Sequence, residues 1–233
     1  MNINKENSLL NNKVIYDLTK FTHLDYKDHL SCIVWFSSCN MRCDYCYNKD
    51  IVFSKEGRYS YIDILKFLKT RVGLLDAVVL SGGEATSHSL VEFCKEIKKL
   101  GFKIKLDTNG TNFLEIKKLV DLNLLDFLAL DYKATKLKFS KITHSNKYNY
   151  FSKTLDFLID ASLNFEARTT LHNDLLNEDD INEIIDDLKS RAYKGKYFIQ
   201  EFLDTGINIA NISLSKKKFN KSLLSNKIEV IWR

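Results

Sequence analysis

Cys32-Ile-Val-Trp-Phe-Ser-Ser-Cys39-Asn-Met-Arg-Cys43-Asp-Tyr-Cys46 joins a short apolar run, Cys32 to Phe36, to a short polar loop with three cysteines spaced C-x3-C-x2-C. The run reads as a buried strand and the loop as the connection that leaves it. Thiols gathered this closely are built to hold metal. Spacings of three and two residues let a tight loop aim three thiolates at one point.

That arrangement suits an iron–sulfur cube, in which each iron takes a Cys sulfur. Three protein ligands for four irons leave one iron open, and S-adenosylmethionine (SAM) is a compact ligand able to use that seat for radical chemistry. A structural zinc site needs a fourth ligand at closed tetrahedral geometry, and the candidates Cys32, His23 and His88 show no paired spacing with the loop. Disulfides fit poorly with an odd count of five Cys and no signal peptide, both of which point to a reducing compartment. Electron transfer of the ferredoxin kind wants a fourth cysteine with its own spacing, and none stands downstream.

Outward from this loop the chain has a regular rhythm. Apolar runs at Cys32 to Phe36, Ala77 to Leu80, Phe102 to Leu106, Phe127 to Leu130, Phe165 to Ala167 and Tyr197 to Ile199 alternate with segments of helical period. The helical spacing is clearest at Ile181, Ile184, Ile185 and Leu188, and again at Phe113, Ile116, Leu119 and Val120. Six βα-type units predict right-handed crossovers and a parallel sheet, too few for a closed eight-fold barrel. The expectation is an α/β fold, an open partial (βα)6 barrel in a single domain spanning residues 1–233. Its core covers about 21–202, with a short N-terminal extension and a C-terminal one over 203–233. Val14 to Leu30 reads as a lead-in strand or hairpin, Ile228 to Trp232 as one further strand, and residues 1–12 as a loose polar end.

A hydrophobic content of 45% with 28% charged residues describes a soluble globular chain, and no apolar run approaches the ~18 residues of a membrane span. The net charge of +5 is spread as Lys over helix faces, with Lys216 to Lys218 the one basic run, which reads as solvated surface and not as a nucleic-acid site. A cytoplasmic location is the expectation. Proline is absent where ordinary usage predicts about a dozen, alongside an excess of Lys, Asn, Ile, Leu and Phe, a sign of base-composition bias.

In barrel-like α/β folds the C-terminal strand ends form the active face, so the residues just past each strand carry the chemistry. The second strand leads into Ser81-Gly82-Gly83-Glu84, the third into Asp107-Thr108-Asn-Gly110, and the fourth into Asp131-Tyr-Lys133. The fifth leads into Arg168-Thr-Thr-Leu-His172 and the sixth into Gln200-Glu201. Gly82 and Gly83 offer backbone that a ligand can approach, and Glu84 an acceptor for an ammonium group, although Gly-Gly is also an ordinary turn. Asp107 and Asp131 are carboxylates at strand ends able to share a cation or an amine; helix capping is the plainer role of Asp107 or Thr108. Lys133 and Arg168 suit a carboxylate or ribose hydroxyls, or an internal salt bridge. Cys32 and Cys94 read as packed core thiols, and among the single histidines only His172 stands near the mouth.

Taken together, the cysteine loop, Gly82-Gly83-Glu84, Asp107-Thr108-Asn-Gly110 and Asp131-x-Lys133 resemble the radical SAM superfamily, specifically its glycyl-radical-enzyme activases. Phe21-Thr-His-Leu-Asp-Tyr26, with Cys32 through Asn48, is similar to the activating proteins of anaerobic ribonucleoside-triphosphate reductase. The resemblance runs from about Phe21 to Phe202. It implies a [4Fe-4S] cluster on Cys39, Cys43 and Cys46, with SAM chelating the fourth iron. It also implies that Gly82, Gly83 and Glu84 hold the methionine amine, with Tyr45 near the adenine. Asp131, Lys133 and Arg168 fall on the carboxylate and ribose side, and Asp107, Thr108 and Asp131 resemble a monovalent-cation site. Three positions depart from the pattern: Ala85 replaces a frequent Pro, Tyr47 a common His, and Asp25-Tyr-Lys-Asp28 an Asp-Tyr-Pro-Gly.

The activity implied is reductive SAM cleavage and then hydrogen abstraction from a glycine of a partner polypeptide. The partners implied are a glycyl radical enzyme, an anaerobic ribonucleotide reductase, and a low-potential electron donor such as flavodoxin or ferredoxin. The absence of a second cysteine cluster or long C-terminal domain favours a protein substrate. The rival is a radical SAM enzyme acting on a small molecule, such as 7-carboxy-7-deazaguanine synthase, in which a hydroxyl residue tends to stand where this chain has Asn48. A partner-binding iron–sulfur or zinc protein without turnover is a third reading.

Overall fold

The computed structural model describes residues 10–233, so the expectation of a loose N-terminus falls mainly on residues outside the description. In chain order the elements are strands β1 (Ile15–Thr22) and β2 (Ser31–Phe36), helices α1 (Lys49–Phe53) and α2 (Tyr61–Lys69), β3 (Ala77–Gly82), α3 (Val91–Lys99), β4 (Lys103–Thr108) and α4 (Phe113–Asp121). Next come β5 (Phe127–Asp131), α5 (Lys136–Thr143), α6 (Tyr148–Asp160), β6 (Phe165–Leu171), α7 (Glu178–Ser190), β7 (Tyr197–Glu201) and β8 (Val230–Trp232). The fold is α/β, with a largely parallel sheet that is open, as the alternation of runs and helices predicted. The sixth unit differs from expectation: the chain leaves β7 without a helix and reaches β8 through an irregular stretch with one short 3-10 turn, Lys221–Leu223.

Two compact units make up the chain, the first from residues 1–40, 50–108 and 112–128, the second from 41–49, 109–111 and 129–233. In the first, β1 lies antiparallel to β2, and β2, β3 and β4 run parallel in register, Val34 beside Leu80 and Leu80 beside Leu106. The lead-in strand is therefore present. Val34, Val78, Val79, Leu80, Ile104 and Leu106 are fully buried, which is why these strands read as continuous apolar runs. Helices α2 and α3 bring Ile64, Leu68, Phe93 and Ile97 into the core, and Ser60 and Asp63 form a reciprocal capping box that starts α2. Cys32 and Cys94 are core thiols as expected; burial pushes the Cys32 thiol up to about 12 and raises that of Cys94 still further.

In the second unit β6, β7 and β8 are parallel, so the C-terminal apolar run does add a strand. Ile181, Ile184, Ile185 and Leu188 of α7 are all fully buried, which accounts for their helical spacing. The start of α7 is fixed by a second capping box, Asn177 with Asp180. Tyr132, just past β5, is buried with its ring edge-on to Phe151 at 4.7 Å, and its hydroxyl donates to Asp187 of α7 at 2.9 Å.

Candidate active site

The second unit holds most of the cysteine loop, and that loop closes a helix. Arg42 N–H donates to Thr143 O (2.9 Å) and Asp44 N–H to Ile142 O (3.0 Å), both carbonyls of the last turn of α5. Helix ends leave such carbonyls without intrahelical partners, and here the loop backbone satisfies them. The helix stops at His144, which adopts a left-handed conformation (φ 52°) and sets its Nε2 2.7 Å from Asp44 Oδ1. Cys46 N–H turns back onto Cys43 O at 3.0 Å. Cys43 and Tyr45 are buried and Cys46 is half-buried. Burial pushes the Cys43 thiol up to about 11 against the opposing pull of the Lys133 cation, and raises that of Cys46 in the same way.

Beside this loop stands a charged triad. Asp131, at the end of β5, receives Arg168 Nε of β6 at 2.5 Å on Oδ1 and Lys133 Nζ at 3.0 Å on Oδ2. Burial alone would raise the Asp131 carboxyl, but Arg168 and Lys133 outweigh it and bring it down to about 2. Lys133 is held well above its ordinary value: burial opposes its charge, and Asp131 overcomes that. One carboxylate thus holds two cations in a half-buried place. Lys133 Nζ also lies 5.9 Å from the centre of the Tyr45 ring.

The first unit holds Cys39 and the Gly-Gly-Glu turn. Gly83 N–H donates to Phe36 O and Glu84 N–H to Ser38 O, each at 2.9 Å, so the end of β3 is tied to the residues just before Cys39. A Cβ at Gly83 would stand 1.8 Å from Ser38 O, and one at Gly82 (φ +110°) 2.4 Å from Phe36 N. These glycines are therefore required by the close approach of two backbones within the protein, whereas their sequence pattern points to a ligand. Glu84 is 2% exposed, and its Oε1 accepts from the hydroxyls of Thr86 (2.5 Å) and Thr108 (2.7 Å). Asp107 receives the Ser81 hydroxyl on Oδ2 (3.2 Å), while Lys105 Nζ, a residue not foreseen at the site, lies 2.9 Å from Oδ1.

Asp107 thus meets Lys105, and Asp131 meets Lys133 and Arg168. His172, read as standing near the mouth, has a structural role. It is 2% exposed, its Nε2 donates to Ser213 O (2.8 Å) and its Nδ1 accepts from Asp174 N (3.2 Å), so it fastens the C-terminal extension. Glu201 pairs with Lys221 at 2.9 Å.

The family model of the radical SAM superfamily matches residues 33–188. The chain belongs to the radical SAM superfamily. A protein of Methanocaldococcus jannaschii named "Putative glycyl-radical enzyme activating enzyme" is 29% identical over 81% of this radical SAM chain and 80% of its own length. The 7-carboxy-7-deazaguanine synthase of Buchnera aphidicola is 30% identical, over 48% of the chain and 51% of its own length. Among solved structures, Streptococcus suis SuiB bound to S-adenosylmethionine superposes with a TM-score of 0.64 over 86% of this chain and 49% of that one, at 15% identity, a likeness of fold.

Radical SAM enzymes use a [4Fe-4S] cluster and SAM, and the residues present fit both. The C-x3-C-x2-C cysteines form no disulfide. Among the described residues no three His, Cys, Asp or Glu side chains are gathered as closely as a single ion requires; a cube carries its ligated irons on separate corners. Tyr45, two residues from Cys43 and next to Cys46, is buried, and its hydroxyl donates to the Cys43 sulfur, so it lies against the thiols that would hold the cluster. Lys133 and Arg168 are the charged donors that would suit an anionic group.

Proposed function

We propose that the chain is a radical SAM activase that generates a glycyl radical on a partner enzyme, an anaerobic ribonucleoside-triphosphate reductase. The observation that carries the activase reading is the likeness to the Methanocaldococcus protein along most of both chains. The likeness of Phe21 to Tyr26, and of Cys32 through Asn48, to reductase activating proteins supports the partner. Cys39, Cys43 and Cys46 would hold the cluster. When bound, the cluster supplies the electron that cleaves SAM to methionine and a 5′-deoxyadenosyl radical, which takes a hydrogen atom from glycine.

The chain's own residues bind and orient. Asp131 keeps Lys133 and Arg168 charged and aimed, so that they receive the SAM carboxylate or ribose. Glu84, held by Thr86 and Thr108, receives the methionine amine, and Gly82 and Gly83 allow the backbone approach that places it. Thr108 acts through Glu84, Asp107 through Lys105, and Tyr45 covers the adenine side. Among the described residues no helix is long and apolar enough to cross a membrane. Cytoplasmic placement and a flavodoxin- or ferredoxin-like donor belong to the same proposal.

A protein substrate is favoured over a small one because the ends of β6 and β7 leave few polar groups to converge on a small polar molecule: His172 is bonded to Ser213 and Glu201 to Lys221. The test is isotopic. With the reductase deuterated at glycine, 5′-deoxyadenosine gains deuterium and the reductase gains a glycyl radical seen by electron paramagnetic resonance. Deuterium arriving only from a labelled small molecule, with no protein radical, would overturn the proposal in favour of a small-molecule enzyme such as a 7-carboxy-7-deazaguanine synthase.

A further inference from the structure

We propose that Asn208-Ile-Ala-Asn-Ile212, in the C-terminal extension, is a strap that fixes the cysteine loop, with Asn208 as its positioning residue. Most of the extension is exposed, yet Asn208 is 3% exposed. Its Oδ1 accepts from Ile212 N–H (2.8 Å) and its Nδ2 donates to Ile212 O (2.6 Å). Asn211 takes the left-handed conformation (φ 53°) that lets the segment fold back on itself.

The closed turn leaves the two N–H groups after Asn208 directed at the loop. Ile209 N–H donates to Cys46 O and Ala210 N–H to Asp44 O, each at 3.1 Å. On its other side the loop is held through Arg42 and Asp44 by the last turn of α5. The backbone between Arg42 and Cys46 is therefore gripped from both sides, and the grip on Cys46, a half-buried residue, comes from the strap. All these contacts are to carbonyls and none to a thiol, so the strap acts by limiting where the Cys46 sulfur can go. A loop so constrained holds its thiols in place before a cluster arrives and resists its release. The strap's role is independent of the substrate, and its test involves no partner, so this proposal and the activase reading fail separately.

The experiment uses the full chain under anaerobic conditions. Asn208→Ala removes both side-chain bonds that close the turn, and one or two hydrogen bonds of ordinary strength correspond to about tenfold in the population of the opened loop. Iron release from the cluster-loaded protein to a chelator should quicken by about tenfold. In the metal-free chain, alkylation of Cys46, located by peptide mass spectrometry, should quicken by a similar factor, while alkylation of Cys94 stays unchanged. Asn208→Asp keeps the acceptor for Ile212 N–H and should recover part of the effect. Ala210→Pro, at an exposed position, removes one loop-facing donor while leaving Asn208 in place and should show the same two changes; if Asn208→Ala does not fold, this variant decides alone. Folded variants that release iron and alkylate Cys46 at the parent rates would overturn the proposal.

Discussion

Replacing Asp131 by Asn should cost about 3 kcal/mol at neutral pH, and less as the solution is acidified. The carboxyl falls from an ordinary 3.8 to about 2 in the folded chain. At about 1.36 kcal/mol per decade, that difference of about 1.8 corresponds to about 2.4 kcal/mol. Removing one partner of a fully buried ion pair costs about 3–5 kcal/mol, a second measure of the same loss. Side-chain exposures of 20% for Asp131, 18% for Lys133 and 13% for Arg168 allow some solvent relief, which places the expected cost near that lower bound, about 3 kcal/mol. The sign comes from the lowered value: the stabilisation is fully present above the ordinary pKa and is lost as pH falls through the folded one. By linkage about half of the 2.4 kcal/mol is gone near pH 3, and the window closes near pH 1. Urea unfolding of the metal-free chain at pH 7 and pH 3, with the parent protein alongside, measures this. The reasoning fails if the variant loses less than about 1 kcal/mol at pH 7, or if the loss is as large at pH 3 as at pH 7.

Three other outcomes are expected. Ser in place of Cys39, Cys43 or Cys46 should each abolish the bound iron, whereas Cys32→Ala and Cys94→Ala should retain it; equal loss from Cys94→Ala and Cys43→Ser would show that the loop is not the cluster site. Glu84→Ala and Lys133→Ala should keep iron yet weaken SAM binding about ten- to a hundred-fold, the worth of a charge-assisted hydrogen bond, as equilibrium binding to the cluster-loaded protein will show. Gly83→Ala should be among the most damaging small substitutions in the chain, because its Cβ would overlap Ser38 O at 1.8 Å and the obstacle is backbone. Thermal unfolding by circular dichroism checks this, and a midpoint within about 2 °C of the parent would contradict it.

The strand and helix order could be read from the chain because it is written in local periods. Val78 to Leu80 are buried on both faces and so form an unbroken apolar run, while Ile181, Ile184, Ile185 and Leu188 share one helix face and so recur every three or four residues. The cysteine loop was equally legible, since its three thiols lie within eight residues and their spacing alone carries the chemistry. Where sequence and structure part, the deciding partner is distant along the chain. Gly83 is shaped by Ser38, His172 is bonded to Ser213, and Asp131 is neutralised by Arg168. No local pattern announces such pairs, because a glycine, a histidine or a carboxylate looks the same in sequence whether it meets a ligand or its own chain. The strap is the extreme instance: Asn208, an ordinary residue in an aperiodic tail, serves a loop more than 160 positions before it. Periodicity and spacing could therefore determine the elements and the thiol loop from sequence, whereas the partners of the polar groups depend on which backbone segments the fold brings together, and only the tertiary structure decides that.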